Sequence, residues 1–208
     1  PTVHWFIREG VLLSERVLKR IDVSARSLIA AIEPASCFAG TLAELVLAAD
    51  QSFMLSGQFE DDSTPAAEVA LSAMNFGPLR MVNGITRLEA RCLHAPQQLD
   101  ELKQLSGQYL DAEAAERAGL VTFIPDDIDW EDEVRLALEA RAGFSPDPLS
   151  GMEANLRFAG PETMETRIFG RLTAWQNWII QRPNAVWPEG ALQRYGTGVR
   201  GNHIPERG

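Results

Sequence analysis

The chain has 208 residues, 45% of them hydrophobic, and carries 29 acidic against 19 Lys and Arg side chains for a formal net charge of −10. That length holds one good-sized core, or one domain with an appendage, and the acidic balance argues against nucleic acid as a partner because phosphates would be repelled. No apolar run nears the roughly 20 residues that span a bilayer, so no membrane partner is expected. There is no signal-peptide pattern. Cys37 and Cys92 lack metal-ligand spacing. They fit a reducing, cytoplasmic setting without a disulfide framework, bound metal or cofactor. The chain enters an apolar segment directly after Pro1 and is expected to begin inside a longer protein.

The spacing of Ile7, Val11, Leu18 and Ile21 predicts a helix over residues 4–21, with Gly10 weakening its middle. His4 is read as a terminal histidine without a ligand role. Leu28 to Ile32 is an unbroken apolar run that suits a strand covered on both faces of a mostly parallel sheet. Pro34 stops it, and the small residues 35–40 form a tight turn. From Thr41 the period changes, and Leu42, Leu45, Val46 and Ala49 mark a helix. The N–H groups at its start would face an anion or oxyanion above the turn. Ser36 and Cys37 in that turn are either a hydroxyl and a thiol that a helix start would activate or small residues that fill a tight turn.

Gln51 to Ser56 reads as a second strand, and 57–66 as an acidic surface loop. Glu60, Asp61 and Asp62 in that loop could bind a metal or simply be solvated. Val69 to Asn75 is a short strand or turn, and Asn83-Gly84 precedes a helix through Ile85, Leu88 and Cys92. Leu99 to Leu105 is a short helix or loop. Asp111 is a natural N-cap for a helix closed by Gly119, with Glu113 and Arg117 spaced for an ion pair. Leu120, Val121 and Phe123 then start an extended run.

Asp129 is placed to cap a helix from Trp130 to about Ala142, with Glu131 and Arg135 paired. Residues 144–148 break the chain, and Ser150 with Glu153 has the capping-box pattern. Glu162 to Gln181 is the longest helical candidate. Met164, Ile168, Leu172, Trp175 and Ile179 line one face, and Trp175 and Trp178 suit burial against another domain or subunit. From Asn184 the chain reads as an extended tail.

The stretch Ser27–Asp50 resembles the second signature of the crotonase (enoyl-CoA hydratase/isomerase) superfamily, with Glu44, Leu45 and Asp50 at matching spacing. The superfamily's triple glycine falls on Gly40, Thr41 and Leu42, so one glycine remains. LDAEAAERAGLV, beginning at Leu110, matches a second superfamily unit in the right order. The resemblance implies an α/β, crotonase-like (ClpP/crotonase) partial spiral with a mostly helical C-terminal region. Residues 1–128 would be a degenerate core lacking its first strands, and residues 129–208 a helical region with an extended tail.

For the site, the resemblance implies an oxyanion and acyl-CoA-binding turn at Gly40 and Thr41, with Cys37 beside it, and a catalytic position at Glu44. The superfamily's second acid falls on Ala73. Glu68, five residues away, is a poor substitute, and proton transfer at two carbons usually needs both carboxylates. The stretches EPASCFAGTLAEL, DDIDWEDEVRLALEAR and GMEANLRFAGPETMETRIFGRLTAWQNW are similar to a ring-cleaving branch of the superfamily. That likeness implies the C-terminal part of a carbon–carbon lyase of aerobic benzoate degradation. Such a lyase opens 2,3-epoxy-2,3-dihydrobenzoyl-CoA with water to 3,4-didehydroadipyl-CoA semialdehyde and formate. The implied partners are an aromatic CoA thioester, an N-terminal crotonase-like half holding the complete pair of glutamates, and a second copy in a homodimer. The isolated chain would be inactive. The alternatives are a non-catalytic structural or dimerisation half and a generic enoyl-CoA hydratase/isomerase-like protein.

Overall fold

Strand β1 (Ile29–Ile32) runs parallel to β2 (Gln51–Met54), in register from Ile29↔Gln51 to Ile32↔Met54. A parallel pair needs a crossover. Here a 3-10 turn, Gly40–Leu42, leads into the six-residue helix α2 (Ala43–Ala48). On the other side of β2, Phe123 makes a parallel bridge to Phe53, and their rings stack at 5.0 Å. The computed structural model describes residues 4–60, 63–157 and 162–204. These form two compact units, one of residues 4–23 and 28–136 and the other of 24–27 and 137–204.

The first unit begins with α1 (Trp5–Asp22), whose N-cap is His4 with Nδ1 accepting from the Phe6 N–H. Leu18 and Asp22 face inward, while Ile7, expected on the buried face, is exposed. In α2 the inward residues are Ala43, Glu44, Val46 and Leu47. Leu42 and Leu45, expected to be part of the apolar face, are exposed. The reason is the 3-10 turn, which sets the entry angle of so short a helix. Strand β3 (Val69–Ala70) pairs antiparallel with β4 (Tyr109–Leu110). A 3-10 turn, Ala73–Phe76, follows β3, and α3 (Arg87–Arg91) is capped by Thr86 and Glu89 in a capping box. Helix α4 (Pro96–Gln104) begins at Pro96, earlier than the sequence pattern implied, because proline suits the first helical turn.

Helix α5 (Ala112–Arg117) has Asp111 as its N-cap and Gly119 at φ +71° beyond its end, as read from the sequence. Glu113 accepts from Ser56 Oγ at 2.6 Å rather than pairing with Arg117. The core packs β1, α2, β2, β3 and α5 around Ile32, Met54, Leu71, Leu88 and Ala115. Ahead of α6 (Trp130–Gly143) the Asp126 side chain accepts from the N–H groups of Ile128 and Asp129. Arg135 pairs with Asp132. Asp61 and Asp62 of the expected acidic cluster lie outside the described residues.

In the second unit, α7 (Pro146–Arg157) starts inside the expected break, with Pro146 as its first residue. Ser150 is therefore an interior residue, its hydroxyl donating to Pro146 O at 3.0 Å, and not a cap. Buried Glu153 accepts from Ser27 Oγ at 2.7 Å and lies 3.4 Å from Arg157. The expected long helix is α8 (Met164–Arg167), a π-helical turn (Ile168–Leu172) and α9 (Thr173–Ile179), and it is shorter than α1. Thr173 Oγ1 donates to Ile168 O, five residues back. Met164, Ile168 and Leu172 of the expected stripe are exposed. The tryptophans have partners within the unit. Trp175 lies against Gly151 of α7 and edge-on to Trp178 at 5.0 Å, and Trp178 stacks under Arg182. Short helices α10 (Pro183–Val186) and α11 (Ala191–Arg194) follow. The tail is not loose at Asn184. That buried side chain donates to Ile204 O and accepts from the Ile204 N–H, at 3.0 and 2.8 Å.

Candidate active site

The turn between β1 and α2 sits at the carboxyl end of a parallel strand, where α/β proteins place their ligands. Its geometry is set by hydrogen bonds at Glu33, whose N–H donates to Ser36 Oγ and whose carbonyl accepts from the Ser36 N–H. Ala35 takes φ +68°, a left-handed conformation uncommon for a residue with a side chain. Cys37 follows and is exposed. Gly40 is at φ +53°, and a Cβ there would lie 3.2 Å from Ser72 Oγ. The one glycine kept from the triple pattern is thus required by backbone conformation and by the close approach of Ser72. The cavity beside the turn, between Phe38, Val46, Val69 and Leu120, is about 10 Å³, room for about one water.

Glu44 points into the protein. Its exposure is 0%, and both carboxylate oxygens are occupied: Oε1 accepts from Asn75 Nδ2 at 2.8 Å and Oε2 from Arg87 NH1 at 2.8 Å. Arg87 also donates through NH2 to Asp22 Oδ1 at 2.5 Å and to Leu18 O at 3.2 Å. The other Asp22 oxygen accepts from the Val82 N–H. Asn75 donates again to Gly40 O at 2.9 Å and accepts from the Ser72 N–H at 2.8 Å. One buried network therefore ties α1, the turn before α2, α2, the 3-10 turn and α3.

Burial pushes the Glu44 carboxyl above its usual range, with the charge of Asp22 adding to the rise; hydrogen bonds from Asn75 and Arg87, and the guanidinium charge, pull the other way. Two carboxylates share one guanidinium, so a proton on Glu44 removes the surplus negative charge.

Ala73, where the second acid was expected, is exposed and opens the 3-10 turn capped by Ser72 and Asn75. Ala39 and Ala70 form a parallel bridge, with the Ala70 N–H donating to Phe38 O. Glu68 and Cys37 are both exposed. Burial lifts the pKa of the Cys92 thiol, which lies in the core away from the turn. Among the described residues, no group of three or more His, Cys, Asp or Glu side chains is arranged to hold a metal ion, and no helix is long and apolar enough to cross a membrane.

No family model matches the chain. Its fold is the crotonase fold, as likeness to solved structures shows. Enoyl-CoA hydratase from Bacillus anthracis superposes with a TM-score of 0.69 over 98% of this chain and 72% of that one, at 16% identity. An enoyl-CoA hydratase/isomerase from Cupriavidus metallidurans CH34 does so with a TM-score of 0.65 over 99% and 70%, at 21% identity. More particularly, the chain is 55% identical over 197 residues to the benzoyl-CoA-dihydrodiol lyase of Aromatoleum evansii. The match takes in 95% of this chain and 35% of that protein, so the chain spans about a third of its relative's length.

Proposed function

We propose that these residues are the C-terminal scaffold of a ring-cleaving lyase. The whole enzyme converts 2,3-epoxy-2,3-dihydrobenzoyl-CoA and water to 3,4-didehydroadipyl-CoA semialdehyde and formate. The substrate class rests on the 55% identity to a benzoyl-CoA-dihydrodiol lyase. The acid–base work then belongs to a crotonase-like half outside these residues, and the enzyme acts as a homodimer in the cytoplasm. The observation that carries the scaffold role is Glu44. At the position of the superfamily's first glutamate, its carboxylate is fully buried and both oxygens are held by Asn75 and Arg87. A general acid or base must come within hydrogen-bond reach of the substrate. Gly40 and Thr41 lie in the 3-10 turn before α2, with Cys37 three residues ahead of Gly40.

The experiment is turnover of the epoxide by the purified 208-residue chain and by the longer protein containing it. Turnover by the longer protein alone supports the proposal, and turnover by the short chain overturns it.

A further inference from the structure

Helix α1 is amphipathic in an unusual sense, with one apolar edge facing inward and a second facing out. Leu18 is buried and Val11 half-buried on the inner edge. Phe6, Gly10, Leu13 and Val17 recur at steps of four, three and four on the outer one. Phe6 is 68% exposed, Leu13 52% and Val17 53%, and Trp5 beside them is 68% exposed. Residues 4–10 are all exposed, and nothing lies within 4 Å of a Cβ placed on Gly10. The first turns of α1 therefore stand clear of the first unit. An exposed apolar stripe with a glycine notch in its middle suits the ridge of another packed element.

The same unit shows a second unfinished feature. Among the described residues β1 pairs with β2 alone, whereas parallel strands as apolar as Ile29–Ile32 are normally covered and paired on both sides. Both features ask for more polypeptide around this unit, and the relative at 55% identity is nearly three times as long as the matched region.

We propose that the outer stripe of α1, Phe6, Leu13 and Val17 around the Gly10 notch, is the docking surface for the part of the longer polypeptide outside these 208 residues. The proposal rests on the reading of the chain as a portion of a larger lyase and adds where the two portions meet. Trp5 fills the margin of the contact. The inner edge holds α1 to its own unit through Leu18 and the Asp22–Arg87 pair, and the outer edge receives the other portion.

The test is hydrogen–deuterium exchange of residues 4–22 in the 208-residue chain and in the longer protein, for wild type and for Phe6→Asp with Leu13→Asp. Burial of the stripe slows exchange of this helix by roughly tenfold or more in the longer wild-type protein, and the double variant restores the fast rate there while leaving the short chain unchanged. Equal exchange in the two wild-type proteins overturns the proposal, and this comparison does not depend on the variant folding. Light scattering and vesicle flotation of the short chain are run in parallel. A dimer that the double variant makes monomeric, or binding to anionic vesicles that it abolishes, would assign the stripe to a second copy or to a lipid surface and overturn the proposal. Ring cleavage by the longer wild-type protein is measured separately. Its absence would sink the lyase reading while leaving the exchange result to stand.

Discussion

Replacing Arg87 by methionine removes one guanidinium and leaves two buried acids. The side chain is 3% exposed, and its partners Asp22 and Glu44 are 4% and 0% exposed. Methionine retains much of the packing volume, so the change is mainly electrostatic. Breaking a buried ion pair by deleting one partner costs about 3–5 kcal/mol, because the other charge is left uncompensated. With two carboxylates affected the loss should reach the upper part of that range, a large fraction of the ~5–15 kcal/mol that holds a typical protein together.

The pH dependence carries a sign. In wild type, burial already raises the Glu44 pKa, and Arg87→Met removes the guanidinium that opposes the rise. A carboxyl with a raised folded-state pKa contributes stability that is complete below its unfolded value near 4.5 and is lost as pH rises through the folded value. The deficit of the variant should therefore be largest at neutral pH and shrink towards pH 5. Urea denaturation of both proteins across that range, followed by circular dichroism, measures it. A deficit below about 1 kcal/mol at pH 7, the size of an exposed pair, or one that grows on acidification, would refute the reasoning.

Glu44→Gln places an amide between two donors, Asn75 Nδ2 and Arg87 NH1, so chemical denaturation should show a loss of about 1–3 kcal/mol from the mismatched buried bond. Gly40→Ala adds a Cβ at φ +53° and 3.2 Å from Ser72 Oγ. The left-handed conformation alone costs about 1–2 kcal/mol, which a thermal melt would register. Asn184→Ala removes both ties to Ile204, and proteolysis should then cleave after Arg194 or Arg200 sooner than in wild type. Glu68→Gln in the longer protein should leave turnover within a few-fold of wild type.

The strand–turn–helix around Ile29–Ala48 was legible because the apolar period changes from a continuous run to helical spacing at the turn. Helix α5 was legible because Asp111 and Gly119 mark both its ends. What Glu44 does was not legible. Arg87 lies 43 residues away and Asp22 is 65 from Arg87, and nothing local distinguishes a carboxylate facing substrate from one facing a guanidinium. The available hint was Arg87 itself, set between Thr86 and Leu88 on a helix whose neighbours face the core. The inward face of α2 was misread because its six residues give the period too few repeats. The π-helical turn at Ile168–Leu172 shifts the later stripe positions, Trp175 and Ile179, relative to Met164 and Ile168. Asn184 looked like part of a polar tail because its partner, Ile204, is 20 residues downstream.

The scaffold account stands most directly on the activity of Glu44→Gln in the longer protein. Turnover of 2,3-epoxy-2,3-dihydrobenzoyl-CoA should be measured at a temperature where circular dichroism shows the variant folded, with rates normalised to folded protein. A buried residue held by Asn75 and Arg87 predicts a kcat within about threefold of wild type, far less than the 10²–10⁴-fold contribution of a general acid or base. A loss of roughly a hundredfold or more in fully folded protein would contradict the account and make Glu44 part of the catalytic machinery.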